Sequence, residues 1–124
     1  MTTIPRAIEM VRGLVPDLND RIGRFEVETF EADDELMAAF FEELERLTDD
    51  LQAGLDASDD EAIRASAHSI KGMCGTIGLP EISVLAQEIE LTLRAGETDR
   101  CRGLCAVLIE WARAYTAENQ GYGA

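Results

Sequence analysis

The chain has 124 residues, which is the size of one ordinary domain and leaves little room for two. Hydrophobic residues make up 46% of it, enough to build a core, while aromatic residues make up only 6%, so we expect that core to be mostly aliphatic. The formal net charge of −14 argues against nucleic acid or an anionic membrane as a partner.

The negative charge is concentrated in one part of the chain. Residues 26–61 contain fifteen acidic residues and one basic residue, Arg46, whereas the rest of the chain is neutral. Such a block is typical of a solvated helix face that keeps a protein soluble. A docking surface is the alternative interpretation.

Residues 1–32 are predicted to form an extension that is partly helical and covers the rest of the fold. Apolar residues recur there at helical spacing. They are Ile4, Ile8, Val11 and Val15. The remainder of this extension is ambiguous, because Pro16 and Gly23 interrupt the pattern.

The first of four longer helices is predicted to start at Asp33 or Asp34, both suitable N-caps, and to stop between Gly54 and Ala57. Its apolar residues follow one another at steps of three and four, as in an amphipathic helix. They are Leu36, Phe40, Leu44, Leu47, Leu51 and Leu55. The opposite face is acidic.

The second helix is predicted to open with a capping box, in which Ser58 is the N-cap and Glu61 reaches back to it. It should end between Gly75 and Gly78. One side of this helix is apolar and is expected to face the interior. That side carries Ile63, Ile70, Cys74 and Ile77.

Two further helices complete the pattern. The third begins at Pro80, whose missing N–H is no loss in a first turn, and stops at Gly96. The fourth is capped by Thr98 or Asp99. Their inward residues are Ile82, Leu85, Ala86, Ile89 and Leu93 on the third, and Cys101, Leu104, Cys105, Leu108, Ala112 and Tyr115 on the fourth.

These elements predict an all-α fold. Helices joined by links of a few residues pack as antiparallel neighbours, so we expect an up-down-up-down four-helix bundle over residues 33–118. The additional N-terminal helical segment precedes the bundle, and residues 119–124 are predicted to be a flexible tail.

The candidate functional residues lie on the second helix. His68 and Lys71 are the only histidine and the only lysine of the chain, and Arg64, Gly72 and Gly75 lie within about 60° of His68 on a helical wheel. This face points away from the apolar side. An exposed imidazole is mostly neutral at pH 7 and is a nucleophile that can accept a phosphoryl group. The two cationic side chains can offset the charge of that group.

Each of these residues also has a plain structural interpretation. A lone histidine on a helix is most often an ordinary surface residue, and Arg64 can pair with Asp60 or Glu61 one turn before it. The two glycines can mark fraying or close packing. However, glycine inside a helix costs about 0.5–1 kcal/mol relative to alanine, so two of them on the face of His68 indicate that room is needed there.

The three cysteines suggest a metal site at first sight. Cys101 and Cys105 stand one helical turn apart, but Cys74 faces the core while His68 faces away, so the four cannot converge. We therefore expect no metal site and three buried cysteines that act as small hydrophobic residues. With no signal peptide at the start and no apolar run of roughly 18 residues, a cytoplasmic protein with reduced thiols is expected.

Residues 67–72, Ala-His-Ser-Ile-Lys-Gly, resemble the signature of histidine-containing phosphotransfer (HPt) domains, with Gly78 ten residues after the histidine. The acidic helix before this motif agrees with that family, as do Leu85, Ala86 and Glu90 after it. The resemblance covers about residues 33–115. It implies a four-helix bundle that relays phosphoryl groups between aspartates of receiver domains in a two-component phosphorelay.

The resemblance also assigns roles to single residues. His68 corresponds to the phosphorylated histidine, Lys71 to the lysine that stabilises the phosphate, and Gly72 to the small residue that opens the site. Arg64 matches a position that varies in the family, so its supporting role rests on the wheel alone. Gly75, the second candidate for a docking role, ends a stretch where the family often has small hydroxyl residues.

Further expectations follow from this resemblance. The partner is the receiver domain of a response regulator or of a hybrid histidine kinase, and that domain supplies Mg²⁺, so this chain binds no cofactor of its own. No nucleotide-binding glycine loop or kinase motif is present, and we expect a monomeric phosphoryl carrier without autonomous catalysis. The alternative is a docking module that is not phosphorylated and regulates a kinase or response regulator by binding alone.

Overall fold

The computed structural model describes residues 9, 11–23 and 34–118, and these residues form helices and no strand. Five helices have defined bounds: α1 Leu18–Ile22, α2 Asp34–Asp56, α3 Asp60–Ile77, α4 Pro80–Ala95 and α5 Thr98–Glu118. Residues 11–14 are helical as well. The all-α prediction is confirmed. The predicted contributions of Ile4 and Ile8, the proposed cap Asp33 and the tail at residues 119–124 lie outside the described residues.

Helices α2 to α5 form a closed four-helix bundle. Each contacts two others, since α3 packs on α2 and α4, and α5 packs on α4 and α2. The connections at residues 57–59, 78–79 and 96–97 are too short for anything but antiparallel neighbours. Within the described part of the chain, no helix is long and apolar enough to cross a membrane.

The core of the bundle is mostly aliphatic, with aromatic residues gathered at one level of it. Phe40 and Phe41 of α2 meet Tyr115 of α5 at ring-centroid distances of 6.5 Å and 5.4 Å. Trp111 stacks on Tyr115 at 4.9 Å. All members of the predicted apolar series of α2 are buried except Leu36, which is 43% exposed.

The junction between α2 and α3 differs by one residue from the prediction. Asp59, not Ser58, is the N-cap of α3, and its carboxylate accepts a hydrogen bond from Ala62 N at 3.1 Å. Ser58 has a φ of 51° and closes α2 instead: its N–H donates to Leu55 O, and the next N–H donates to Gly54 O. A residue used in this left-handed closure cannot also cap the following helix.

The ends of α4 agree with the prediction, because Pro80 is its first residue and Gly96 closes it with a φ of 74°. The predicted cap of the last helix is wrong. Helix α5 begins at Thr98 itself, and Cys101 N donates to Glu97 O at 2.9 Å, so Thr98 and Asp99 both lie in its first turn. The four-residue spacing of that bond places Glu97 in the capping position.

Residues 11–23 pack on the bundle. Val11, Val15 and Leu18 are part of the buried core, and α1 contacts α4. Arg21 Nη1 donates to Glu88 Oε1 of α4 at 2.7 Å, and both side chains are largely buried. Arg100 of α5 reaches the same carboxylate at 3.2 Å. Glu88 therefore joins the N-terminal segment to two helices of the bundle.

Candidate functional site

His68 lies near the middle of α3 and projects from the bundle. Ile63, Ile70 and Cys74 bury the inner face of the helix, which leaves the imidazole on the outside with 62% of its side chain exposed. The helical periodicity of the sequence therefore predicts its orientation correctly.

A carboxylate from the neighbouring helix holds one nitrogen of the ring. His68 Nδ1 lies 3.3 Å from Oε2 of Glu90, a residue of α4 that is only 13% exposed. An ionised carboxylate accepts hydrogen bonds and cannot donate them, so the contact favours the tautomer that carries its hydrogen on Nδ1. The other ring nitrogen, Nε2, then has its lone pair free for a nucleophilic attack.

Lys71 contacts the second oxygen of the same carboxylate. Its Nζ lies 2.7 Å from Glu90 Oε1, and the lysine side chain is 23% exposed. The contact is an ion pair between the ammonium and the carboxylate, and both side chains are mostly shielded from solvent. Glu90 thus links the imidazole to the ammonium, which makes His68, Lys71 and Glu90 one cluster across α3 and α4.

Arg64 lies one turn before His68 and pairs with Glu61. Its Nε and one terminal nitrogen donate to the two carboxylate oxygens at 3.1 Å and 2.5 Å. The hydrogen bond and charge of Arg64 lower the pKa of Glu61, while Glu61 raises the pKa of Arg64, with a smaller contribution from the charge of Glu90. The pairing is the alternative that the sequence allowed, and the side chain remains solvent-exposed.

An open cleft of about 290 Å³ runs between α3 and α4 beside this pair. Arg64 lines the wall formed by α3, and Glu90 and Arg94 line the wall formed by α4. Charged side chains dominate the lining, and Arg94 makes no ion pair with any residue that the structure describes.

The two glycines of α3 differ in their surroundings. Gly72 is exposed, and a Cβ added there would meet no atom within 4 Å. Gly75 is buried, so our expectation that it lies open beside the imidazole is wrong. The chain reverses at Gly78, where Leu79 N donates to Cys74 O at 2.8 Å, and the start of α4 therefore folds back against the last turn of α3.

Two residues that matter at this site were not identified from the sequence as site residues. Glu90 entered only as part of the family resemblance, and Ser83 did not enter at all. Ser83 is buried, and its Oγ donates to Lys71 O at 2.7 Å, which fixes α4 against α3 directly below the site. Both contacts join different helices, and the periodicity of a single helix carries no information about them.

The cysteines are buried, as expected. Burial raises the pKa of Cys74 to about 12 and also raises the pKa of Cys105, so neither forms a thiolate at neutral pH. Among residues 9, 11–23 and 34–118, no three His, Cys, Asp or Glu side chains lie close enough together to hold a metal ion.

Comparison with protein families gives one match: the family model of the Hpt domain covers residues 35–120. The match includes nearly all of α2 and the whole of α3, α4 and α5, together with all five candidate residues. No match was found among curated proteins or solved structures.

Proposed function

Since the chain belongs to the Hpt domain family, whose members serve phosphotransfer in phosphorelays, we propose that it relays a phosphoryl group between aspartates of receiver domains through a phosphohistidine at His68. The observation that carries this proposal is the exposed imidazole whose Nδ1 faces the carboxylate of Glu90. This contact leaves Nε2 as the nucleophile.

The proposed step is a direct displacement at phosphorus. The lone pair of Nε2 attacks the phosphorus of an aspartyl phosphate, the N–P bond forms, and the P–O bond breaks as the carboxylate leaves with its electron pair. The ring gains a positive charge because Nδ1 keeps its hydrogen. Glu90 stabilises that charge from 3.3 Å, and the reverse step passes the phosphoryl group to the next aspartate.

Positioning and charge neutralisation supply most of the catalysis in phosphoryl transfer. Around His68 the described residues offer cations and one bridging carboxylate, and no carboxylate cluster suited to Mg²⁺. We therefore assign the Mg²⁺ site and most of the catalytic groups to the partner. In this proposal the chain is a phosphoryl carrier and not an autonomous enzyme.

Hpt domains in general interact with receiver domains of response regulators or kinases, and we propose a receiver domain as the direct partner here. The open surface at Gly72 supports close approach of such a domain to the imidazole. We further propose that the chain acts as a monomer. Leu36 and Leu91 are the only large apolar side chains exposed among the described residues, which is little for a stable self-association surface.

The test is to incubate the protein with a phosphorylated receiver domain and to look for phosphate on this chain that is labile in acid and stable in base. His68→Gln should abolish acceptance and keep the helical circular-dichroism spectrum, because the imidazole is exposed and contributes little to packing. Acceptance by this variant at the normal rate would end the proposal. Binding of the receiver without acceptance by the unmodified protein would favour the docking module.

A further inference from the structure

Lys71 is already engaged in the resting protein. Its ammonium lies 2.7 Å from Glu90 Oε1, and both side chains are mostly removed from solvent. A pair of this kind is held more firmly than one on the open surface, since water screens it less. To bind a phosphoryl group on Nε2, Lys71 would have to leave a carboxylate that is also in contact with the ring.

Arg64 is engaged far less firmly. Its partner, Glu61, is a neighbour on the same helix, and both side chains are exposed to solvent. Exposed ion pairs are weak, because water screens the charges and two long side chains must be held in one geometry. A phosphoryl dianion carries more charge than a carboxylate, and its oxygens suit the two-pronged hydrogen bonding of a guanidinium. It is therefore favourable for Arg64 to leave Glu61 and bind a nearby phosphoryl group instead.

The geometry of α3 puts Arg64 within reach of a phosphoryl group on Nε2 of His68. Side chains on a helix lean toward its N-terminus, so the imidazole of His68 leans over the turn that carries Arg64. Residues four apart on a helix have Cβ atoms about 5–6 Å from each other, well within the reach of an arginine. With Nδ1 turned to Glu90, Nε2 is the nitrogen farther from that carboxylate.

Six charged side chains of the described residues lie around this position. Asp60, Glu61, Arg64 and Lys71 face it from α3, whereas Glu90 and Arg94 face it from α4. Lys71 and Glu90 neutralise each other, which leaves the arginines on the two walls of the cleft as the available positive charge.

We propose that Arg64 is the residue that binds the phosphoryl group on His68, leaving Glu61 as it does so, and that Lys71 is a positioning residue that acts through Glu90. This inference rests on the proposed function. It departs from the role that the family resemblance gives to Lys71.

The experiment uses the full chain phosphorylated with phosphoramidate, a small donor whose N–P bond breaks and releases ammonia as the bond to Nε2 forms. Phosphorus NMR then follows the loss of a proton from phosphohistidine as the pH rises. A cation in contact favours the more negative, deprotonated form, so Arg64→Gln should raise the midpoint. The expected rise is about 0.7 pH unit, which corresponds to the interaction of about 1 kcal/mol between two charges 4 Å apart in water.

Two further variants make the result specific. Arg46→Gln is the matched control, because Arg46 on α2 pairs with Glu43 three residues before it, just as Arg64 pairs with Glu61. It should leave the midpoint unchanged. The double variant Lys71→Gln with Glu90→Gln removes one charge of each sign, so the midpoint should stay close to that of the unmodified protein.

The outcomes separate the inference from the function on which it rests. If the unmodified protein accepts phosphate at His68 but Arg64→Gln leaves the midpoint unchanged, the inference is wrong and the function stands. A rise in the double variant equal to that expected for Arg64→Gln would show that Lys71 binds the phosphoryl group. If the unmodified protein accepts no phosphate from phosphoramidate or from a receiver domain, the proposed function fails and the inference fails with it.

Discussion

At the scale of single residues, the reactivity of His68 depends on a side chain from another helix. Free imidazole can carry its hydrogen on either nitrogen, and only the form protonated on Nδ1 offers Nε2 as a nucleophile. The carboxylate of Glu90 lies 3.3 Å from Nδ1 and favours that form, because it can accept a hydrogen bond from Nδ1. The contact with Lys71 fixes this carboxylate in turn, so in the proposed function the cluster orients the imidazole before a partner arrives.

Glu90→Ala should therefore change the tautomer of His68. A hydrogen bond contributes about 0.5–1.5 kcal/mol, and on an imidazole this exposed we expect the lower part of that range, which is a shift of about two- to fivefold in the tautomer ratio. Nitrogen NMR of the ring measures the ratio directly. The rate of phosphate acceptance from phosphoramidate should fall by a similar factor.

Glu90→Gln is the informative comparison. Its amide oxygen can still accept the hydrogen bond from Nδ1, but the negative charge is lost and Lys71 is released. We expect it to keep the tautomer ratio nearer to that of the unmodified protein than Glu90→Ala does. An unchanged ratio in both variants would show that Glu90 does not select the tautomer.

The residues of one helix face could be identified from the sequence, and the cluster that completes them could not. His68 and Lys71 stand three residues apart, so their common face follows from helical geometry alone. Glu90 stands 22 residues after His68, on a helix whose rotation about its own axis is set by the burial of its apolar side. Only the packed pair of helices shows which polar residue of α4 reaches the imidazole.

At the scale of helices, the sequence predicts where the body of each helix lies better than it predicts the residue at which a helix begins. The long apolar series predicted the bodies of α2 to α5, whereas the junctions at Ser58 and Thr98 were misplaced by a residue. A serine followed by an aspartate offers two adjacent N-caps, and local sequence does not decide between them. The left-handed closure of α2 at Ser58 decides it, because this closure leaves Asp59 as the residue free to cap.

Substitutions at Gly72 test whether this glycine leaves room for a partner to approach His68. Because a Cβ there meets nothing within 4 Å, Gly72→Ala should leave the free energy of unfolding unchanged or raise it by up to about 1 kcal/mol. Gly72→Leu should also fold, but it should slow transfer from a receiver domain because the side chain holds the partner away from His68. Acceptance from the much smaller phosphoramidate should change far less.

The matched control is Gly103→Leu on α5. Gly103 is also an exposed helical glycine with open space around its Cα, and it lies on a different helix from His68. Gly103→Leu should affect neither transfer from a receiver domain nor acceptance from phosphoramidate. Equal slowing with both donors in Gly72→Leu would mean that the leucine disturbs the imidazole itself and that approach of the partner is not limited at Gly72.

At the scale of the whole molecule, the N-terminal segment extends the fold beyond the family match, which begins at residue 35. Residues 11–23 contribute Val11, Val15 and Leu18 to the common core, and Arg21 binds Glu88 of α4. Helix α4 is also the element that supplies Glu90 to the site. Contacts that hold the segment therefore also stabilise the helix on which the orientation of His68 depends.

Leu18→Ala tests whether this segment and the bundle unfold as one unit. Leu18 is 2% exposed, and truncation of a buried leucine costs about 2–5 kcal/mol. Trp111, the only tryptophan, is buried in α5, so its fluorescence reports on the bundle and not on the segment. If the two form one cooperative unit, the denaturation midpoint followed by this fluorescence should fall together with the midpoint followed by circular dichroism.

The control for that experiment is Leu91→Ala, the same truncation at an exposed position of α4, which should change stability by no more than about 0.5 kcal/mol. A fluorescence midpoint that Leu18→Ala leaves unchanged would mean that the segment opens by itself. Cooperative loss is the expected result, because Glu88 is held at once by Arg21 from the segment and by Arg100 from α5. Opening of the segment would leave this largely buried carboxylate with one partner and would expose the core surface that Leu18 covers.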